Sequence, residues 1–228
     1  MRIAISGTGC QGKTTFLSDF IKNWPDYITP ESTYRKVIGK KRHSKSTTSK
    51  LQWSILDFMS DQLQQHKRGD NVIFDRCPLD NLVYSLWCHG KDKKGFDKEF
   101  IDKCIPLAKE SLRFLDIIFF TPITRVAPVA IESDDMREDD EEYIHEVDHI
   151  FKAILKSYYQ PVSPFFVKDD KPAIIEIFGN RKERIAMAEL YLDDTGDICS
   201  EDDSLINPGD LDKLQARAKG DGSDRYYV

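Results

Sequence analysis

Gly7 to Thr14 read Gly-Thr-Gly-Cys-Gln-Gly-Lys-Thr, matching G-x-x-x-x-G-K-[ST] at every fixed position. Gly7, Gly9 and Gly12 let the backbone bend so that successive N–H groups, Gln11 among them, point inward at phosphate oxygens. The start of the following helix, through Thr14 and Thr15, adds partial positive charge. Lys13 supplies a cation for β/γ-phosphates and the Thr14 hydroxyl a ligand for Mg²⁺. An apolar run, Ile3-Ala4-Ile5, precedes the loop, and a helical pattern of Phe16, Leu17, Phe20 and Ile21 follows it. This strand–loop–helix context is what a phosphate loop requires.

The elements that must carry these groups alternate between apolar runs and helical patterns, which implies α/β architecture with a parallel sheet. Strands are expected at Arg2–Ser6, Asp26–Pro30, Asn71–Phe74, Leu115–Phe120 and Ala173–Phe178. Helices are expected at Lys13–Asn23, Ser46–Gln65, Asp80–Cys88, Lys98–Leu112 with a break or kink at Pro106, Glu141–Tyr159 and Arg181–Leu192. In a parallel sheet, ligands gather at the carboxyl ends of the strands. The remaining candidates lie there. Asp75 ends the third strand, placed to reach a metal beside Thr14; capping the turn at Pro78 is its alternative. Arg76 suits holding an acceptor or neutralising phosphoryl charge. Glu31 follows the second strand, as a base for an acceptor hydroxyl or as a surface cap. Arg125 and Arg137 lie in a charged stretch after the fourth strand, where a closing lid would bring an arginine over the transferred group. Asn180 and Arg181 follow the fifth.

The 228 residues suit one domain with a core, followed by a tail. The expected division is 1–192 for the domain and 193–228 for an acidic, loosely packed tail. A formal net charge of -6 argues against a surface coated with positive charge. Even so, Arg35, Lys36, Lys40, Lys41, Arg42, Lys45 and Lys50 form a basic stretch, readable as a solvated loop or as a surface for a phosphate-bearing acceptor or DNA. Trp53, Phe58, Tyr84 and Trp87 could stack on a base or belong to the core. The five cysteines show no C-x-x-C pair and suit reduced thiols in the cytoplasm. No apolar stretch approaches the roughly 20 residues that span a bilayer.

Taken together, these residues resemble the small P-loop kinases of the nucleoside and nucleotide kinase superfamily. Within it, the chain is most similar to AAA-domain-type kinases of the ribosylnicotinamide-kinase and thymidylate-kinase kind, with bacteriophage-type hydroxymethyl-deoxyuridine DNA kinases as a further relative. The pieces that carry the resemblance are Gly7–Thr14, Thr29-Pro30-Glu31 with Tyr34-Arg35, Asp75-Arg76 with Pro78-Leu79-Asp80, Asp135-Met136-Arg137, and Gly179 to Arg184. The resemblance implies a P-loop NTPase-type three-layer sandwich, with a five-stranded parallel sheet of order 2-3-1-4-5 and a helical lid. It also implies Glu31 as the acceptor-side acid, Asp75 as the metal-side acid, and Asn180 and Arg181 near the donor adenine. The expected activity is phosphoryl transfer from ATP with Mg²⁺ to a nucleoside, a nucleotide or a modified base in DNA. A nucleotide-binding switch without transfer is the alternative, although Asn-Lys-x-Asp, the guanine-reading element, is absent.

Overall fold

Side chains alternate between the two faces of every strand, and this period of two splits the apolar residues into two cores. The computed structural model describes residues 1–39, 46–125 and 140–199. Four strands, β1 (Arg2–Ser6), β2 (Val72–Asp75), β3 (Ile117–Phe120) and β4 (Ala173–Glu176), form one parallel sheet in the order β2-β1-β3-β4. On one face Ala4, Phe74, Ile118 and Phe120 pack against α4 (Pro78–Gly90) and α6 (Glu141–Lys156), through Leu79, Val83, Ile144, Val147 and Phe151. On the other, Ile3, Ile5, Ile73, Ile117 and Phe119 pack against α1 (Lys13–Asn23) and α7 (Arg181–Glu189). A parallel sheet covered on both faces needs strands that are apolar throughout, and β1 and β3 are buried at every position. The three-layer sandwich is therefore present.

Outside these layers, α3 (Ser49–Gln64) and α5 (Lys98–Leu112) close a third cluster on α4, where Leu56, Leu82, Cys104 and Ala108 meet. Pro106 lies within α5 without ending it. Pro106 and Asp102 are both exposed, so the carbonyl that loses its partner faces water. A short helix, α2 (Tyr34–Ile38), which the sequence did not suggest, starts at Thr33, whose side chain caps the Arg35 N–H.

Among the described residues the expected five-stranded sheet is corrected to four strands. The segment Asp26–Pro30 reduces to a single parallel bridge, Ile28 to Val72, with Ile28 N donating to Asn71 O and Ile28 O accepting from Ile73 N. It occupies the edge that the order 2-3-1-4-5 assigns to it. Prolines at 25 and 30 bracket it, and Pro30 has no N–H for a ladder. Tyr27 is buried while Ile28 is 60% exposed, so one inward side chain and one bridge anchor the segment. The stretch 126–139, where a lid is expected, Lys40, Lys41, Arg42 and Lys45 of the basic stretch, and the chain from 200 onward lie outside the described residues. Residues 193–199 fold back on α1. Trp24 Nε1 donates to Asp193 O at 2.9 Å and the Tyr27 hydroxyl to Gly196 O at 2.7 Å.

The α1 side of the sheet is dominated by aromatic rings. Phe20, fully buried, lies 4.5 to 6.0 Å from the ring centroids of Phe16, Trp24, Tyr27 and Phe119. Phe20→Ala is expected to destabilise the fold by about 3–5 kcal/mol, read as a lower urea midpoint with an unchanged slope. A loss under about 1 kcal/mol would mean that this core collapses around the missing ring.

Candidate active site

β1 stops at Ser6 because the chain must turn sharply, and Gly7 permits the turn. Its φ is +142°, and a Cβ there would stand 2.4 Å from Thr121 Oγ1 and 2.8 Å from Thr121 O at the end of β3. The loop then runs to Gly12, which begins α1 with φ +66°. Three helices brace this loop from outside. The Asp80 carboxylate of α4, 1% exposed, accepts from Ser6 Oγ at 2.7 Å and from Gly7 N at 3.3 Å. Thr8 Oγ1 donates to Ile144 O of α6 at 3.2 Å. Arg184 Nη1 of α7 donates to Gln11 O at 2.6 Å.

The inside of the loop opens on a cavity of about 190 Å³. Gly9, Gln11, Gly12, Lys13, Thr14 and Thr15 form one wall. Asp75 and Arg76 enter from the end of β2, and Tyr34, Gln52, Asn81 and Tyr84 come from α2, α3 and α4. Lys13 Nζ donates to Thr8 O, and burial, reinforced by the nearby Arg76 charge, pulls its pKa down to about 7 against the opposing pull of Asp80 and Asp75. Thr14 is exposed and Asp75 half-buried in the same cavity, an all-oxygen pair that suits a hard cation such as Mg²⁺. No group of three or more His, Cys, Asp or Glu side chains able to hold a metal occurs among the described residues. A Mg²⁺ here would complete its shell from phosphate and water.

Arg76 is locked in place. Its backbone is left-handed, at φ +76°, which strains a non-glycine residue by about 1–2 kcal/mol. Its Nη1 reaches Asp80 Oδ1 at 2.8 Å and Gly7 O at 3.0 Å, and its Nε reaches the Tyr34 hydroxyl at 3.3 Å. The guanidinium lies 5.6 and 5.4 Å from the Tyr34 and Tyr84 ring centroids. Arg76 thus ties the loop, α4 and α2 into one unit.

The cavity lining also holds a buried amide pair. Asn81 Nδ2 donates to the backbone carbonyl of Gln52 at 3.0 Å and to Gln52 Oε1 at 2.6 Å. A carbonyl only accepts, so both amide orientations are fixed, and Gln52 Nε2 donates to Thr47 Oγ1 at 3.0 Å. Asn81 Oδ1 is left buried without a hydrogen-bond partner. Ile38, Ile55 and Met59 supply apolar lining around it. A flat ligand with a donor on its edge suits this wall.

The structure separates other expected residues from the cavity. Glu31 is exposed and does not line it. Asn180 caps α7, its Oδ1 accepting from Lys182 N and Glu183 N, and Arg181 pairs with Asp19 of α1 at 2.5 Å. Neither lines the cavity. Arg125 is exposed, and Arg137 lies outside the described residues. Sequence reading missed Asp80, Gln52, Asn81 and Arg184 as site residues. Asp80 had a signal, since an acid three residues after an N-cap and following Pro78 marks a capping box. Gln52 and Asn81 had none, because only the packing of α3 on α4 brings them together. Tyr84 entered as a base-stacking candidate and is found beside Arg76.

The family model of the AAA domain matches residues 2–165. No curated protein matches the chain. Among solved structures, deoxyadenosine kinase from M. mycoides with bound dATP superposes with a TM-score of 0.57 at 21% identity, covering 82% of this chain and 96% of that one. Thymidylate kinase from Candida albicans gives 0.57 at 16%, over 83% and 88%. NadR protein in complex with NR gives 0.54 at 15%, over 82% and 49%. These likenesses establish the fold.

Lys13 generates a pH prediction. A triphosphate beside it favours its charged form, whereas in the free protein that form is lost as pH rises through about 7. Binding of MgATP at pH 8 is therefore expected to take up a proton, and affinity to fall between pH 7 and 9. Calorimetric heats at pH 8 that do not change between buffers of different ionisation enthalpy would contradict this.

Proposed function

The chain belongs to the AAA domain family, and from that premise we propose that it is a phosphotransferase that moves the γ-phosphoryl group of ATP, with Mg²⁺, onto a hydroxyl or phosphate of a nucleoside or nucleotide. One observation carries the reading: the residues of the phosphate loop line the same cavity as apolar side chains and Asn81, whose amide oxygen is buried without a partner. A shared cavity supports the reading that a donor tail and an acceptor bind side by side, which phosphoryl transfer needs.

In this reading the loop N–H groups and Lys13 hold the β- and γ-phosphates. Thr14 and Asp75 would hold Mg²⁺, which supplies charge neutralisation on the phosphates when bound. The acceptor oxygen forms a bond to the γ-phosphorus as the bond to the β,γ-bridging oxygen breaks, ADP leaves, and a hydroxyl acceptor passes its proton to the transferred phosphoryl group or to water. Asn81, whose Oδ1 lacks a partner, lines the part of the cavity assigned to the acceptor. Tyr34 and Tyr84, aligned by Arg76, flank the acceptor. Glu31 as acceptor-side acid and Arg137 as lid cation rest on their places in the sequence and on the family resemblance, and Asn180 with Arg181 beside the donor adenine rests on the resemblance alone.

The test measures ADP release and product formation across nucleosides, monophosphates and base-modified duplex DNA. Turnover is expected with a free nucleoside or nucleotide, and Lys13→Ala should lower it by at least about 10²-fold. Asn81→Leu should raise the acceptor KM about tenfold or more and leave the ATP KM near wild type. Turnover with modified DNA alone would move the acceptor to the polynucleotide. Tight ATP binding with background turnover for every acceptor would favour a nucleotide-binding regulator and end the kinase reading.

A further inference from the structure

Two arginines one helical turn apart on α7 differ sharply in surroundings. Arg181 is largely exposed and neutralised by Asp19. Arg184 is 6% exposed and bonds two backbone carbonyls, Gln11 O in the phosphate loop at 2.6 Å and Gly179 O at the β4–α7 connection at 2.9 Å. No carboxylate among the described residues pairs with it. Its neighbour Glu183 turns away, accepting from Asn180 N at 2.7 Å in the α7 capping box. Burying a cation without an anion is costly, and carbonyl dipoles offset this only in part.

The guanidinium also lies against Gly12, the residue that opens α1. A Cβ built on Gly12 would meet Arg184 Nη1 at 2.9 Å and Cζ at 3.7 Å. Gly12 is thus required to be bare for a second reason besides its positive φ. The loop carbonyl that Arg184 holds belongs to Gln11. Fixing that carbonyl outward fixes the orientation of the peptide plane it shares with the Gly12 N–H. Nη2 makes no hydrogen bond to a described residue.

From this geometry we infer that Arg184 is a positioning residue for the donor triphosphate: it holds the Gln11–Gly12 peptide in its anion-receiving orientation and places an uncompensated positive charge behind the loop. The inference rests on the proposed function for the identity of the anion. It adds a link that the loop motif does not contain, because the same side chain grips the connection at Gly179 and joins the loop to the far edge of the sheet. A triphosphate in the loop supplies the counter-charge that the fold withholds.

The experiment uses the full chain, with two probes. One is an N-methylanthraniloyl ATP with Mg²⁺, followed by fluorescence titration; the other is inorganic tripolyphosphate, followed by its shift of the melting temperature. Arg184→Met is expected to weaken both about tenfold or more, with the deficit narrowing between 50 and 500 mM KCl as the missing charge is screened. Arg184→Lys, which keeps the charge and loses the fork, is expected to recover part of the affinity. Wild-type affinity in Arg184→Met, within about twofold, would overturn the inference. So would equal losses in the Lys and Met variants that track their lowered melting temperatures and do not respond to salt, because a purely structural arginine behaves so. Failure of wild type to bind either probe would instead remove the proposed function on which the inference rests.

Discussion

One carboxylate does more than any other group to define this molecule. Asp80 is buried on α4 and gathers Ser6 Oγ, Gly7 N, Cys77 N and Arg76 Nη1 within 3.3 Å. It therefore locks the end of β1, the end of β2 and the start of α4 together at the point where the phosphate loop departs. A buried carboxylate is tolerated only when its lone pairs are filled, and Arg76 supplies the balancing charge. The two residues are mutually dependent: Arg76 keeps its strained backbone because Asp80, Gly7 O and two tyrosines hold its side chain. Losing either partner would leave the other as an unpaired charge beneath the loop.

The rigidity created there is aimed at one function. Backbone N–H groups attract an anion only if they already converge before it arrives, since converging them afterwards would consume binding energy. The loop is accordingly fixed from three directions, by α4 through Asp80, by α6 through Thr8, and by α7 through Arg184. The sheet adds a fourth constraint where Gly7 meets Thr121 too closely for any side chain. The rest of the cavity lining comes from α2, α3 and α4, of which α3 and α4 are joined through Gln52 and Asn81 while α2 is held through Tyr34 to Arg76.

Much of this was legible in the residues themselves. The phosphate loop stood out because its glycines and its lysine are demanded by local chemistry, and strands β1, β2, β3 and β4 did so because continuous apolar runs admit few other fates. The bounds of α5 were read correctly, while the break expected at Pro106 does not occur. The fifth strand was misread because Tyr27 and Ile28 look like strand residues in isolation, whereas proline on either side restricts them to a single bridge. Gln52, Asn81 and Arg184 were invisible for a different reason. Each draws its significance from a partner between 29 and 173 residues away, and no local pattern encodes that distance. Arg181 and Arg184 show this most clearly, since only the turn of α7 decides which one meets Asp19 and which one meets the loop.

The aromatic seam under α1 carries a last consequence, for how the molecule comes to be made. Trp24 and Tyr27 close against Asp193 and Gly196, contacts that span 169 residues. During vectorial synthesis the phosphate loop and its helix leave the ribosome early, but the surface beneath them cannot be sealed until the segment around residue 196 has emerged. The last cover over these rings is therefore among the latest contacts that a chain made from its N-terminus can form.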